Sequence, residues 1–157
     1  MADTRHKHQH LKRLPQVWIS DPVYFITTCT KNRRAILACG PVADILIQTW
    51  HESLSRYGWM VGSYVVMPDH VHFFCAPTSK AVPLSRFVGQ WKEWTSKRMV
   101  QVLGYSVPIW QREFFDHVLR SKESRSEKWA YVRENPVRAN LVACAEEWQY
   151  QGSVDFD

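Results

Sequence analysis

His70 and His72 stand two residues apart in Val65-Val66-Met67-Pro68-Asp69-His70-Val71-His72-Phe73-Phe74. In an extended strand side chains alternate with period two, so both imidazoles face one side and Val71 the other. Two imidazoles on one sheet face can grip a single divalent cation; the same spacing also serves a solvated strand face. A second pair lies in Trp129-Ala130-Tyr131-Val132-Arg133-Glu134-Asn135-Pro136. Tyr131 and Asn135 are four apart, which puts them on one helical face. Beside a metal, a tyrosine can act as nucleophile and an asparagine as an oxygen ligand. Read alone, Tyr131 is equally a core residue and Asn135 a helix end before proline.

The elements that must position these residues follow from pattern. Val23 to Thr30 is β-branched and aromatic and predicts a strand. Lys31-Asn32-Arg33-Arg34 is a basic turn. Gly40-Pro41 opens a helix whose apolar positions run from Val42 to Tyr57, and Gly58 closes it. Trp59 to Met67 and His70 to Ala76 predict a hairpin around Pro68-Asp69. Pro83 to Gly104 predicts a second helix, with Phe87, Val88, Trp91 and Met99 inward and Arg86, Lys92, Lys97 and Arg98 on a basic outer side. A fourth strand is expected at Phe114 to Leu119. Ser124 followed by Glu127 carries a capping-box signature, which starts a third helix running to about Asn135, ahead of Pro136. An irregular acidic tail completes the chain.

The order β-α-β-β-α-β plus a helix is that of an α+β, ferredoxin-like fold: an antiparallel sheet with helices on one face and a C-terminal helix carrying Tyr131. The chain has 157 residues, 45% hydrophobic and 13% aromatic, enough for one packed domain over residues 21–157. Residues 1–20, with His6, His8 and His10 among Arg5, Lys7, Lys12 and Arg13, predict a flexible basic arm. No apolar run is long enough for a membrane span, and no secretory leader is evident. The four cysteines show no paired spacing, which fits a reducing cytoplasm.

Net charge is +5, and the only charges after Arg138 are four acids, so residues 1–138 carry +9. Such a basic body suits a polyanionic partner such as nucleic acid. Some of the eight tryptophans could stack on bases, although most belong in a core.

With these motifs in order, the chain resembles the REP-associated tyrosine transposases, relatives of the single-tyrosine HUH transposases of small insertion sequences. The resemblance rests on MPDHVHFF, IWQREFFDHVLR and WAYVRENPVRANLV and spans roughly Tyr24 to Val142. It implies that His70 and His72 bind a divalent metal, Mg2+ or Mn2+, and that Tyr131 attacks single-stranded DNA to leave a 5′-phosphotyrosine link. Asn135 takes the third-ligand position, where insertion-sequence relatives carry the longer Gln. His117, in Phe114-Phe115-Asp116-His117, is expected to orient substrate or assist proton transfer, unless it is a structural histidine. The implied target is a palindromic, REP-like DNA hairpin, with Arg33, Arg34, Arg86, Lys92, Lys97 and Arg98 near its phosphates. The resemblance further implies a monomer, working in the cytoplasm at the nucleoid. Two other readings share these features: a hairpin-binding protein without catalysis, and a replication-initiator nuclease of the same chemistry. The intact trio His70, His72 and Tyr131 speaks against the first, and the short chain against the second.

Overall fold

The computed structural model describes residues 22–157. The expected basic arm, with its three histidines, lies outside them. Five strands form one antiparallel sheet in the order β4-β1-β3-β2-β5: β1 is Val23–Cys29, β2 Trp59–Val66, β3 His70–Pro77, β4 Phe115–Leu119 and β5 Gln151–Ser153. The first four are in the ferredoxin-like order and bear out the α+β expectation.

The helices α1 (Gly40–His51), α2 (Ser53–Tyr57) and α3 (Leu84–Leu103) belong to the crossovers between strands. One core joins Leu46 and Trp50 of α1 and Phe87 and Trp91 of α3 to Val71 and Phe73 of β3. Trp50 and Trp91 stack with centroids 5.6 Å apart, and Trp91 donates its indole N–H to Thr49 Oγ1 at 3.0 Å. A buried indole needs such a partner.

The opposite sheet face carries a smaller core. Phe25 of β1, Val65 of β2 and Phe74 of β3 pack there with Val132, and Trp129 and Phe156 lie against them. This second layer is α4, Lys122–Val132, followed by the short turn α5, Asn135–Arg138. Alternation along β3 therefore sorts Val71 and Phe73 toward α1 and α3, and His70, His72 and Phe74 toward α4.

Three boundaries differ from the sequence reading. The first helix breaks at Glu52, where the Ser53 hydroxyl donates back to Thr49 O at 2.9 Å and competes with the helical ladder. The third helix is capped by Ser121, whose Oγ accepts from Ser124 N at 3.0 Å, so Ser124 lies inside the first turn and the expected capping box is not used. That helix ends at Val132, and Asn135 opens α5 instead of closing α4. The acidic tail is not irregular throughout. Gln151–Ser153 pairs with Ser63 to Val65, and Asp155 accepts from Val61 N at 2.8 Å. Sequence pattern missed this strand because three residues are too few to show alternation.

Gly58 ends α2 at φ +73, and a Cβ there would lie 2.6 Å from the Lys80 carbonyl oxygen. Both the turn and the close approach require glycine.

Candidate active site

The His70–His72 pair sits at the start of β3, held from three sides. In the sheet register Cys29 opposes His70 and Thr27 opposes His72. Thr27 Oγ1 lies 2.8 Å from His72 Nδ1, and Asp69 Oδ1 lies 2.7 Å from His70 Nδ1. Each ring therefore has one nitrogen engaged and its Nε2 left for a ligand. The ring centroids are 4.8 Å apart and the planes meet at 78°.

Asp69 is held in turn by Arg33, whose Nε donates to Asp69 Oδ2 at 2.9 Å. The loop after β1 makes this possible. Asn32 and Arg33 adopt left-handed backbone, φ +57 and +54, which folds the guanidinium back over the strand end. Arg33 Nη1 also approaches Cys29 Sγ at 2.8 Å. Burial raises the Asp69 pKa, but the His70 hydrogen bond and the His70 and Arg33 charges overcome it, leaving the carboxyl below its ordinary value.

Both imidazoles are poor bases here. Burial lowers the His70 pKa more than Asp69 raises it. Burial lowers His72 to about 3, with the charges of His70, Lys128, Arg138 and Arg33 adding to the effect. His72 is also flanked by Phe25, whose ring stacks at 5.2 Å and 19°. A neutral imidazole with its far nitrogen anchored is the form that ligates a metal.

A stability consequence follows. In the unfolded chain His72 titrates near 6.5, and in the fold near 3. Between those values the unfolded state binds more protons, so stability rises with pH and is lost as pH falls from 6.5 toward 3. The expected slope from this residue is about 1 kcal/mol per pH unit. Urea midpoints measured from pH 7 to 4 should fall more steeply for the native chain than for His72→Gln. Equal slopes would mean that His72 is not buried neutral.

Tyr131 lies one residue before the end of α4 and is 63% exposed. Arg138 from α5 covers its ring, with Cζ 4.0 Å from the centroid, and donates from Nη2 to the Tyr131 carbonyl at 2.6 Å and to Asn135 Oδ1. Asn135 therefore offers its amide oxygen to a guanidinium. Tyr131 and Asn135 fall on two successive helical segments, joined through Arg138. α4 itself is seated on the His face by Trp129 against Phe74, centroids 6.1 Å apart, and by Lys128 Nζ over Phe25 at 4.6 Å. One chain thus supplies both the imidazole pair and the tyrosine helix, on the same side of one sheet.

His117 opposes Phe25 on the edge strand β4, exposed on the same sheet face as His70 and His72. The other expected contacts divide. Arg33 is part of the site. Arg34 donates to the carbonyls of Ser106 at 2.9 Å and Pro108 at 3.3 Å. Arg86, Lys97 and Arg98 are on α3, across the sheet from the imidazoles; Lys97 pairs with Glu93 at 2.9 Å and Arg98 donates to Gln48 at 3.2 Å. Lys92 departs from the expectation of a surface cation. It is 8% exposed, and its ammonium donates to the carbonyls of Gln111 at 2.8 Å and Glu113 at 2.7 Å. The helical spacing that placed it outward ignored the 104–114 segment, which covers that side of α3. Lys128 and Arg138 are the cations that sequence reading missed. Arg138 stands seven residues after Tyr131, two turns along a continuous helix, and the two side chains meet only because the chain breaks between Val132 and Asn135.

Among the described residues no three His, Cys, Asp or Glu side chains gather as a metal cluster. The donor set is two imidazoles, which leaves the remaining positions to amide, solvent or substrate oxygen. Such a set could hold a divalent cation whose remaining ligands are oxygen.

The Transposase IS200 like family matches residues 19–135. A REP-associated tyrosine transposase of Escherichia coli K12 is 23% identical over 134 residues, covering 85% of this chain and 77% of that protein. An uncharacterized protein of Haemophilus influenzae Rd is 21% identical over 150 residues, 75% of this chain and 82% of its own. Among solved structures, a REP-associated tyrosine transposase bound to a REP hairpin superposes with a TM-score of 0.70 at 20% identity, covering 90% of this chain and 82% of that one. A protein of Deinococcus radiodurans R1 gives a TM-score of 0.56 at 21% identity, covering 78% of this chain and 97% of that one.

Proposed function

Because this chain belongs to the IS200-like transposase family, we propose that it is a single-strand DNA endonuclease and strand transferase that uses Tyr131 and a divalent metal on palindromic, REP-like hairpins. The observation that carries this reading is the imidazole pair, each ring anchored at Nδ1, on the sheet face covered by the helix that bears an exposed tyrosine. His70 and His72 would hold Mg2+ or Mn2+ through Nε2, with Asn135 as a third, oxygen ligand once Arg138 releases it. The metal when bound polarises the scissile phosphate and offsets charge growing on its oxygens.

The protein residues do the rest. Tyr131 Oη attacks phosphorus, the P–O3′ bond breaks, the 3′ oxygen leaves as a hydroxyl, and the 5′ phosphate stays on tyrosine. The phosphotyrosine bond conserves much of the phosphodiester energy, so a 3′-OH can reverse the step and join strands without ATP. Arg138, stacked on the ring, keeps a cation beside the phosphate that the tyrosine accepts. Thr27 and Asp69 keep both imidazoles oriented. His117 stands on the same face, two strands from the pair, where it would orient the DNA strand. Because α4 packs on its own sheet, the site needs no second copy, which supports a monomer. No helix among the described residues is long and apolar enough to cross a membrane, and the reading places the protein at the nucleoid.

The direct test is incubation with a 3′-end-labelled hairpin oligonucleotide carrying single-stranded flanks, with Mg2+ or Mn2+, followed by a denaturing gel. A labelled band at protein mass that requires metal is the expected result. Free cleaved DNA with no covalent band would replace tyrosine chemistry with hydrolysis.

A further inference from the structure

Arg33 is held more firmly than a cation that waits for a phosphate. Two arms of its guanidinium are engaged: Nε donates to Asp69 Oδ2 at 2.9 Å and Nη1 to Cys29 Sγ at 2.8 Å. Cys29 ends β1 and opposes His70 in the sheet, and Asp69 is the residue before β3. One side chain therefore ties the ends of two neighbouring strands together beside the imidazole pair.

The backbone that aims this side chain is strained. Asn32 and Arg33 are consecutive non-glycine residues in left-handed conformation, φ +57 and +54. Such backbone persists only where surrounding contacts over-determine it. Thr30 supplies some of them. Its N–H donates to the Asp69 carbonyl at 2.9 Å, and its hydroxyl lies 2.8 Å from the Arg34 carbonyl and 3.1 Å from that of Asp69. The segment after α3 braces the other side. Lys31 N donates to Ile109 O at 2.8 Å, Gln111 N to Cys29 O at 2.9 Å, and Gln111 Nε2 to Thr30 O at 3.2 Å. The Gln111 carbonyl in turn accepts from the buried Lys92 ammonium. Bracing of this kind suits a loop that must hold one carboxylate in place.

That carboxylate has both oxygens in use, Oδ2 by Arg33 and Oδ1 by His70 Nδ1 at 2.7 Å. An ionised carboxylate only accepts, so the His70 proton sits on Nδ1 and the lone pair on Nε2. The partner of one ring nitrogen thus decides which form the other nitrogen presents to a ligand. Asp69, occupied in this way, orients a ligand without becoming one.

We propose that Arg33 is a positioning residue of the metal centre: by clamping Asp69 it fixes His70 as the Nδ1–H tautomer, with Nε2 free to ligate the cation. This rests on the metal reading above and gives Arg33 a role other than the phosphate contact expected from sequence. Lysine would keep the charge but has one ammonium in place of the rigid fork, so it cannot serve Asp69 and Cys29 together.

The test uses the full chain, metal-free at the start, with Mn2+ as the probe. Long-range 1H–15N spectra of the ring nitrogens at pH 7.5, assigned with His70→Ala, should show His70 protonated at Nδ1 in the native chain. In Arg33→Lys and in Asp69→Asn the ring should pass to a mixture of tautomers. Mn2+ affinity, read from the paramagnetic resonance of the free ion, should fall about tenfold in each, and no further in the double variant, because both act through one contact. Arg33→Gln, titrated with a hairpin oligonucleotide in EDTA, should keep the native salt dependence of binding. Three results would each overturn the proposal: an unchanged His70 spectrum and Mn2+ affinity in Arg33→Lys, additive losses in the double variant, or a log–log salt slope lower by about one in Arg33→Gln. If the native chain binds no Mn2+, the metal reading fails, and the His70 spectra still decide whether Arg33 sets the ring.

Discussion

Tyr131→Phe should lose the covalent DNA adduct entirely and keep hairpin binding. The substitution removes one oxygen from a side chain that is 63% exposed, so the fold loses almost nothing. The ring stays under the Arg138 guanidinium, and the hydrogen bond from Arg138 goes to the main-chain carbonyl, which phenylalanine retains. What disappears is the nucleophile, and with it the intermediate itself. Adduct yield should fall by at least about 10³-fold, to the detection limit of a denaturing gel. Of the six tyrosines, Tyr131 alone is exposed. Burial raises the phenol pKa of Tyr24, Tyr57 and Tyr64, which makes their phenolates harder to form. Peptide mapping of the native adduct checks the assignment. An adduct on another tyrosine, or continued crosslinking by Tyr131→Phe, would show that the nucleophile lies elsewhere.

His70→Ala and His72→Ala should each reduce metal-dependent cleavage by at least about 10³-fold, because among the described residues these two imidazoles are the nitrogen ligands gathered at this site. The two variants differ in what else they disturb. His70 has a partly exposed side chain, and Asp69 keeps Arg33 after its removal. His72 is more deeply enclosed, stacked on Phe25 and bonded to Thr27, so alanine there also opens a cavity. His72→Gln keeps volume and a polar end and separates the two effects. Thermal unfolding of each variant, beside a metal titration of cleavage, gives the distinction. Undiminished cleavage without added metal by His70→Ala would remove the metal from the mechanism.

Much of the architecture was legible in the residues because it is written in local periodicity. The alternation in His70-Val71-His72-Phe73-Phe74 put both imidazoles on one face before any neighbour was known. The helical spacing of Phe87, Val88, Trp91 and Met99 defined the buried side of α3, and the order of elements was enough for the ferredoxin-like sheet. Residue type and spacing also singled out Tyr131 and Asn135.

Long-range pairing was not legible, and it decides how the site is built. Thr27 reaches His72 across 45 residues of sequence and Arg33 reaches Asp69 across 36, through a sheet register and a left-handed loop that no local pattern encodes. Lys92 looked like a surface cation until the segment after α3 folded over it, because burial depends on what covers a helix as well as on the helix. Asn135 shares a helical face with Tyr131 only if the helix continues. The chain instead ends α4 at Val132 and lets Arg138 bridge the two segments. Side-chain chemistry and local period therefore named the candidate groups. Which partners orient them, and which cations stand beside them, depended on contacts between distant segments, whose free energy is realised only when the sheet and α4 pack together.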